Sequence, residues 1–428
     1  MIRNLKIKIG FVGLSHLGLT YLTAAAEKGF KVSGFDINRS KINNLKNTEM
    51  DLAEPNLKSL IKKNFKKITF TSDIEDLKKS DLIFLSQDVP VLNSGKSDYS
   101  IIHKYINLIK KNIKKNTVLI ILSQVSPSFT RSINWNKSKL FYQVETLVFG
   151  NALERAIHPE RIIIGQHDKL IKTNAKLINF YKNFNCPIIK MNYESAELCK
   201  ISINLFLISS LTFANKLSEI CENLNANWTD IVSALRLDKR IGTYSYLNPG
   251  FGLSGGNLIR DLFSIKQLSK QKKIESSLFD NFFFYSNYFK RWCLKKIQKI
   301  KLKKNDSICM LGISYKENTL STKNSQALYL LKHLKEKKIF LHDPYVDTGI
   351  FCKISKNYYQ TNDFYLSIKN SKIILILVPW NSYKKINSLK NISIFKNKII
   401  FDPFKIITNS KIINLAEFYL TLGTRNEI

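Results

Sequence analysis

The chain has 428 residues, 44% of them hydrophobic, and a formal charge of +34 from 67 basic and 33 acidic side chains. That apolar content suffices for two or three domains with real cores and excludes a disordered chain. The charge suggests nucleic acid, but lysines run through the whole sequence among Asn and Ile, as in Asn112-Ile113-Lys114-Lys115-Asn116. No specific nucleic-acid partner is expected, only a basic surface that attracts anionic substrates.

Residues 7–12 read as an apolar strand, 17–28 as a helix and 32–35 as a second strand. Between the first strand and the helix lies Gly13-Leu14-Ser15-His16-Leu17-Gly18, which is G-x-S-x-x-G, one glycine short of the dinucleotide fingerprint. Gly13 permits the tight turn and Gly18 close packing of the helix. Ser15 is a small residue where the backbone must approach a pyrophosphate. Asp36 ends the second strand 23 residues after Gly13, where a carboxylate accepts a ribose 2′-hydroxyl and repels a 2′-phosphate, so NAD is expected over NADP. Arg39 and Lys41 follow within about a turn. Strands at 82–85 and 118–122, with a helix between, continue an alternation that means a parallel, doubly wound sheet.

Near residue 195 the texture changes to long helical patterns, 195–223 and 276–301, and after 304 strands return at 308–312, 339–341, 373–378 and 399–401. The expectation is an α/β protein: two Rossmann-like doubly wound parallel-sheet domains, 1–194 and 304–428, joined by a central helical dimerisation region, 195–303. Six cysteines (Cys186, Cys199, Cys221, Cys293, Cys309, Cys352) show neither zinc spacing nor a disulfide framework. The longest strong apolar run, 373–378, has strand length, and the basic, then apolar N-terminus is interrupted by Gly13, His16 and Gly18 with no small-residue cleavage site. No membrane association and a cytoplasmic location are expected.

A series of short motifs then follows in order. Glu54-Pro55-Asn56-Leu57, Phe70-Thr71-Ser72-Asp73, Asp88-Val89-Pro90 with Gly95-Lys96-Ser97-Asp98, Pro159-Glu160-Arg161-Ile162-Ile163-Ile164-Gly165 and Asp238-Lys239-Arg240-Ile241-Gly242 lie in the first two thirds. Gly312-Ile313-Ser314-Tyr315-Lys316-Glu317-Asn318-Thr319, Lys323-Asn324-Ser325, His342-Asp343-Pro344 and Trp380 lie in the last. Together they resemble the nucleotide-sugar dehydrogenases of the UDP-glucose/GDP-mannose dehydrogenase type over essentially the whole chain. The resemblance implies an N-terminal NAD domain (Gly13, Ser15, Gly18, Asp36, Lys41), a long central helix that dimerises and a C-terminal domain that binds UDP. It also implies a four-electron reaction, in which a sugar alcohol becomes an aldehyde, a cysteine captures it, a second hydride leaves, and water hydrolyses the resulting thioester to a carboxylate.

Ser195-Ala196-Glu197-Leu198-Cys199-Lys200-Ile201-Ser202-Ile203-Asn204 resembles the family's Ala-Glu-x-x-Lys-x-x-x-Asn, with Lys200 and Asn204 at i, i+4 on one helix face. On composition alone Lys200 is one more surface lysine; the flanking match assigns Lys200, Asn204 and Asp261 to the first oxidation. The second half departs from the family at three places. In Ser254-Gly255-Gly256-Asn257-Leu258-Ile259-Arg260-Asp261, Asn257 stands for the nucleophilic cysteine, and a neutral amide cannot form the covalent adduct. Gln124 replaces the threonine of Ser-Thr-Val. In 144–150 Glu145 is kept as a catalytic carboxylate, but Phe149 replaces the second glutamate. A UDP-sugar is expected at Gly250, Gly252, Asn257, Lys316 and Lys323, with Arg240 reaching in from the other subunit. The resulting expectation is an NAD-dependent UDP-sugar dehydrogenase of polysaccharide precursor synthesis, a homodimer, limited to or altered after the first oxidation. Two alternatives are a four-electron enzyme using another thiol or direct aldehyde hydration, and a non-catalytic NAD and UDP-sugar binder with a regulatory or assembly role.

Overall fold

In the computed structural model the described residues are 7–425 except 51–53, 91, 93–96, 301 and 304. Gly95 and Lys96 of the fourth motif, and Lys301 at the end of the expected second long helix, lie outside the described residues. The chain forms two compact units, Met1–Ile203 and Asn204–Ile428.

The first unit is built on eight strands: β1 (Ile9–Val12), β2 (Val32–Phe35), β3 (Ile68–Thr71), β4 (Leu82–Leu85), β5 (Val118–Ile121), β6 (Leu140–Gln143), β7 (Ile162–Gln166) and β8 (Ile188–Asn192). Their order is β3-β2-β1-β4-β5-β6-β7-β8. Every pairing is parallel except β6 with β7, which is antiparallel. β1, β4, β5 and β6 are buried at every position because helices cover both faces, so they read as unbroken apolar runs rather than alternating ones. Successive residues still face opposite cores: Leu82 and Phe84 join one with Phe11 and Phe180, while Ile83 and Leu85 join the other with Tyr105 and Tyr142. The strand order reverses between β1 and β4, and the crevice beyond their C-terminal ends is where open α/β sheets bind ligands.

The second unit carries six strands: β9 (Ile308–Leu311), β10 (Ile339–His342), β11 (Tyr358–Gln360), β12 (Ile373–Ile376), β13 (Ile399–Phe401) and β14 (Phe418–Leu420). They are all parallel in the order β11-β10-β9-β12-β13-β14, the same winding as the first six strands of the other sheet. Ahead of them come helices Trp228–Leu237, Asn257–Gln271, Ser277–Lys290 and Trp292–Lys299. The single helix expected over 276–301 is two, because the Arg291 N–H turns to the Tyr288 carbonyl at 3.1 Å, three residues back instead of four, and the last turn tightens. The helix Tyr193–Leu224 has 32 residues and is long and apolar enough to cross a membrane by length and composition. Glu197 and Lys200 interrupt it in sequence, so it does not read as a continuous apolar run.

Candidate active site

In the first unit, β1 ends at Gly13, whose φ is +87° and where an added Cβ would lie 2.6 Å from the Gln87 side chain. An added Cβ at Gly18 would lie 2.0 Å from the Gly13 carbonyl oxygen. Both positions therefore demand glycine, one for its backbone sign and one for close approach. Ser15 precedes the helix His16–Glu27 in extended conformation but does not cap it. Its hydroxyl turns sideways, donating to the Ser86 carbonyl at 3.1 Å and accepting the Asp88 N–H at 2.9 Å, so the turn is tied to the end of β4, and the Asp88 carboxylate rather than Ser15 meets the Leu17 N–H in the first turn of the helix. A cradle without Cβ atoms at a helix N-terminus fits a dinucleotide pyrophosphate.

Asp36 is buried just past β2. Its two oxygens accept from the N–H groups of Leu14 and Asn38, both at 3.0 Å, from Lys41 Nζ at 3.2 Å and from the Tyr105 hydroxyl at 3.2 Å. A carboxylate offers about four acceptor sites, so a ribose hydroxyl must displace one of these donors. Lys41 is the most exposed of these partners, its side chain 34% exposed, and pairs with Asp36 at 3.2 Å.

Beyond β6, Glu145 accepts from Lys200 Nζ at 2.7 Å and from the Leu147 N–H at 2.9 Å, with both charged side chains nearly buried. Phe149 lies in the same loop and stacks on His16, ring centroids 4.5 Å apart. His16 Nε2 contacts Glu54 at 3.0 Å, and Glu54 also accepts from the N–H groups of Gly150, Ala152 and Leu153 at 3.0, 2.7 and 3.3 Å, at the start of the helix Ala152–Ile157. Burial pushes the Glu54 carboxyl up, but His16 and the backbone donors outweigh it and hold it below the usual range. In sequence Glu54 is only part of a motif; its function as the clamp between the glycine turn and the 145–150 loop has no local signature. Gln124 follows β5 half-buried. The loop after it is held by Glu197, which accepts from the Ser128 and Thr130 N–H groups at 2.6 and 2.8 Å.

In the second unit, Asp261 is gripped on both oxygens, by Asn204 Nδ2 at 2.5 Å and by its neighbour Arg260 Nε at 3.1 Å, and all three residues are buried. They sit on or against the first turn of the helix Asn257–Gln271, which Asn257 opens at the surface. The glycine loop before it is fixed by close contacts. Gly252 has φ +83°, and an added Cβ would be 2.4 Å from the Ser286 carbonyl oxygen; Gly255 packs against the Tyr315 ring. An added Cβ on Gly250 would meet nothing within 4 Å, and this residue is held through its N–H by Asn215 Oδ1 at 2.6 Å.

This loop borders a cavity of about 570 Å³, lined among others by Arg236, Tyr244, Gly250, Phe251, Tyr315 and Lys316, and by no carboxylate. Two cations among aromatic rings suit an anionic ligand carrying a flat base. Lys323 runs along Gly256 at the loop, its carbonyl accepting the Gly255 N–H at 2.9 Å, and is not among the lining residues. Arg240 is also outside the cavity, its side chain 89% exposed and forked onto Asp238. Arg236, one helical turn earlier, takes the cationic place in the lining, and only its Arg-x-x-x-Arg spacing to Arg240 could have pointed to it. Among the described residues no group of His, Cys, Asp and Glu could hold a metal ion.

Residues 7–185, 194–283 and 309–409 match, in turn, the NAD binding domain, the central domain and the UDP binding domain of the UDP-glucose/GDP-mannose dehydrogenase family. The UDP-glucose 6-dehydrogenase TuaD of Bacillus subtilis is 26% identical, over 97% of this chain and 93% of its own. Among solved structures, a UDP-glucose dehydrogenase from the hyperthermophilic archaeon Pyrobaculum islandicum superposes with a TM-score of 0.85 at 20% identity, covering 97% of this chain and 96% of that one. A UDP-D-ManNAc dehydrogenase from Pyrococcus horikoshii follows at 0.80 and 21%, covering 94% and 96%.

Proposed function

Because the chain belongs to the UDP-glucose/GDP-mannose dehydrogenase family, whose N-terminal domain binds NAD, we propose that it oxidises a UDP-sugar alcohol to the aldehyde and has lost the covalent route onward to the carboxylate. The observation that carries this reading is the state of the two residue sets. Asn204 and Asp261 are locked in a buried network and Lys200 is paired with Glu145, while the surface position that opens the same helix holds the amide of Asn257.

Bound NAD supplies the hydride acceptor. Lys200 and Glu145 form a donor and acceptor pair that takes up the proton of the reacting hydroxyl, and Asn204 and Arg260 fix the Asp261 carboxylate that orients it. An amide at 257 offers no thiolate for aldehyde capture. Of the second unit's cysteines, Cys293 and Cys309 are fully buried, which pushes their thiols up and away from reactivity. Phe149 lies packed on His16 where a second carboxylate would be needed to assist water.

We assign the UDP moiety to the cavity of the second unit, with Arg236 and Lys316 as cationic contacts and Lys323 at its loop, and Arg240 to a second copy of the chain. A homodimer through the helix Tyr193–Leu224 is part of the proposal: Phe206, Phe213, Leu217, Ile220 and Leu224 recur at helical spacing and are exposed, Phe206 at 75%. So are the cytoplasmic location and the division at 194/195 and 303/304. The test is incubation with NAD and a panel of UDP-sugars, counting NADH against sugar consumed. A ratio of one with an aldehyde or its hydrate is expected, whereas a ratio of two with a uronate product refutes the loss. A non-catalytic UDP-sugar binder is favoured by one observation, the double occupation of Asp261 by Asn204 and Arg260, and predicts saturable UDP-sugar binding with no NADH.

A further inference from the structure

The N-terminal edge of the first sheet, opposite the glycine turn, carries a second concave feature. A cleft of about 610 Å³ is formed by the segments that lead into β4, β5 and β6 and by the start of the helix Ala175–Lys182. Five lysines line it, Lys78, Lys79, Lys114, Lys139 and Lys176, against one acidic residue, Asp81. Over the whole chain basic residues outnumber acidic ones by 67 to 33, about two to one; here the ratio is five to one. Asp81 is already engaged, by Lys176 Nζ at 2.5 Å and by the Lys8 N–H at 2.9 Å, and Lys78 pairs with Glu75 on the preceding turn. Among the described residues Lys79, Lys114 and Lys139 have no carboxylate partner.

The walls are preformed. The Thr117 hydroxyl donates to the Ser80 carbonyl at 3.2 Å, Trp135 Nε1 donates to the Thr117 carbonyl at 3.3 Å, and the Val118 N–H donates to the Asp81 carbonyl at 3.0 Å. Backbone and buried side chains thus hold the lysine-bearing segments together. Like charges crowded into one concavity within a screening length of roughly 8–10 Å repel one another, and a multiply charged anion reverses that cost. Ammonium groups bind phosphate as point charges without fixed geometry, so several of them spread over four segments match a run of phosphates better than a single carboxylate. The volume falls in the usual range of small-ligand sites. Cofactor chemistry in such sheets occupies the opposite, C-terminal ends of the strands, so this cleft is not the dinucleotide site.

We propose that the cleft lined by Lys79, Lys114 and Lys139 at the N-terminal edge of the first sheet binds a small polyphosphate-bearing anion. The probe is inorganic triphosphate, titrated calorimetrically into the full-length protein, with pyrophosphate and orthophosphate as shorter members of the series. Affinity is expected to fall stepwise from triphosphate to orthophosphate. Lys79→Ala/Lys114→Ala/Lys139→Ala should weaken the triphosphate site at least tenfold and leave NAD binding unchanged, while the corresponding triple Arg variant, which keeps the charge, should retain it. The inference is overturned if the Ala variant binds triphosphate as the parent does. It is also overturned if the Arg variant loses binding along with the Ala variant, since charge would not then be the determinant. Displacement of triphosphate by a short DNA duplex at lower concentration than by free triphosphate would assign the surface to nucleic acid and refute the small-ligand reading.

Discussion

Replacing Lys200 by Ala removes the ammonium from a Glu145 carboxylate that stays almost buried at 2.7 Å from where Nζ was. Breaking such a pair from one side typically costs about 3–5 kcal/mol, because a charge remains in a poor dielectric without its counterion. Both side chains keep about a tenth of their surface, 9% and 12%, so the lower end, about 3 kcal/mol, is expected. For a unit of this size that corresponds to a fall of about 6–12 °C in melting temperature. Lost NADH formation in Lys200→Ala would therefore be ambiguous between chemistry and folding. The double variant Lys200→Met/Glu145→Gln resolves it, since removing both charges restores most of the stability. Thermal unfolding and NADH release are measured on all variants. The expected result is a recovered melting temperature with NADH formation still absent. A double variant that is stable and still forms NADH would refute the catalytic assignment of Lys200, and a single variant that melts within 2 °C of the parent, less than about 1 kcal/mol, would refute the structural accounting.

Asp36→Asn weakens both the repulsion of a 2′-phosphate and the tether to the Leu14 N–H; NAD affinity should drop by roughly tenfold and the NAD over NADP preference should approach unity. Equal discrimination in variant and parent, by direct binding, would remove Asp36 from the cofactor site. Glu54 titrates below its ordinary value of 4.5, so it stabilises the fold at neutral pH, and that contribution is lost as pH falls from the ordinary value through the depressed one. The melting-temperature gap between parent and Glu54→Gln should therefore shrink on acidification, and a gap constant with pH would contradict the clamp. Phe206→Glu/Phe213→Glu places charges on the exposed stripe of the long helix and should yield monomers by light scattering; an unchanged dimer would move the interface elsewhere.

Some of this molecule is written locally. The turn from Gly13 to Gly18 is legible because a positive φ and a contact closer than any Cβ allows are demands of single residues, and only glycine meets them. β1, β4 and β5 are legible because strands covered on both faces need apolar side chains at every position. The proposal that Asn257 stands for the family's cysteine likewise rests on the sequence alone. Other features depend on residues far apart in the chain. The antiparallel turn of β7 against β6 is a matter of pairing that four or five residues do not encode, and the break at Arg291 is a one-residue change of hydrogen-bond partner within an otherwise helical pattern. Only the folded chain sets Lys200 beside Glu145, saturates Asp36 with four donors and seats Glu54 on the start of a helix. It also brings five scattered lysines to one cleft and leaves Arg240 outside the cavity that Arg236 lines. Those arrangements follow from strand order and helix packing, which decide what a side chain meets, whereas composition and spacing decide only what it can offer.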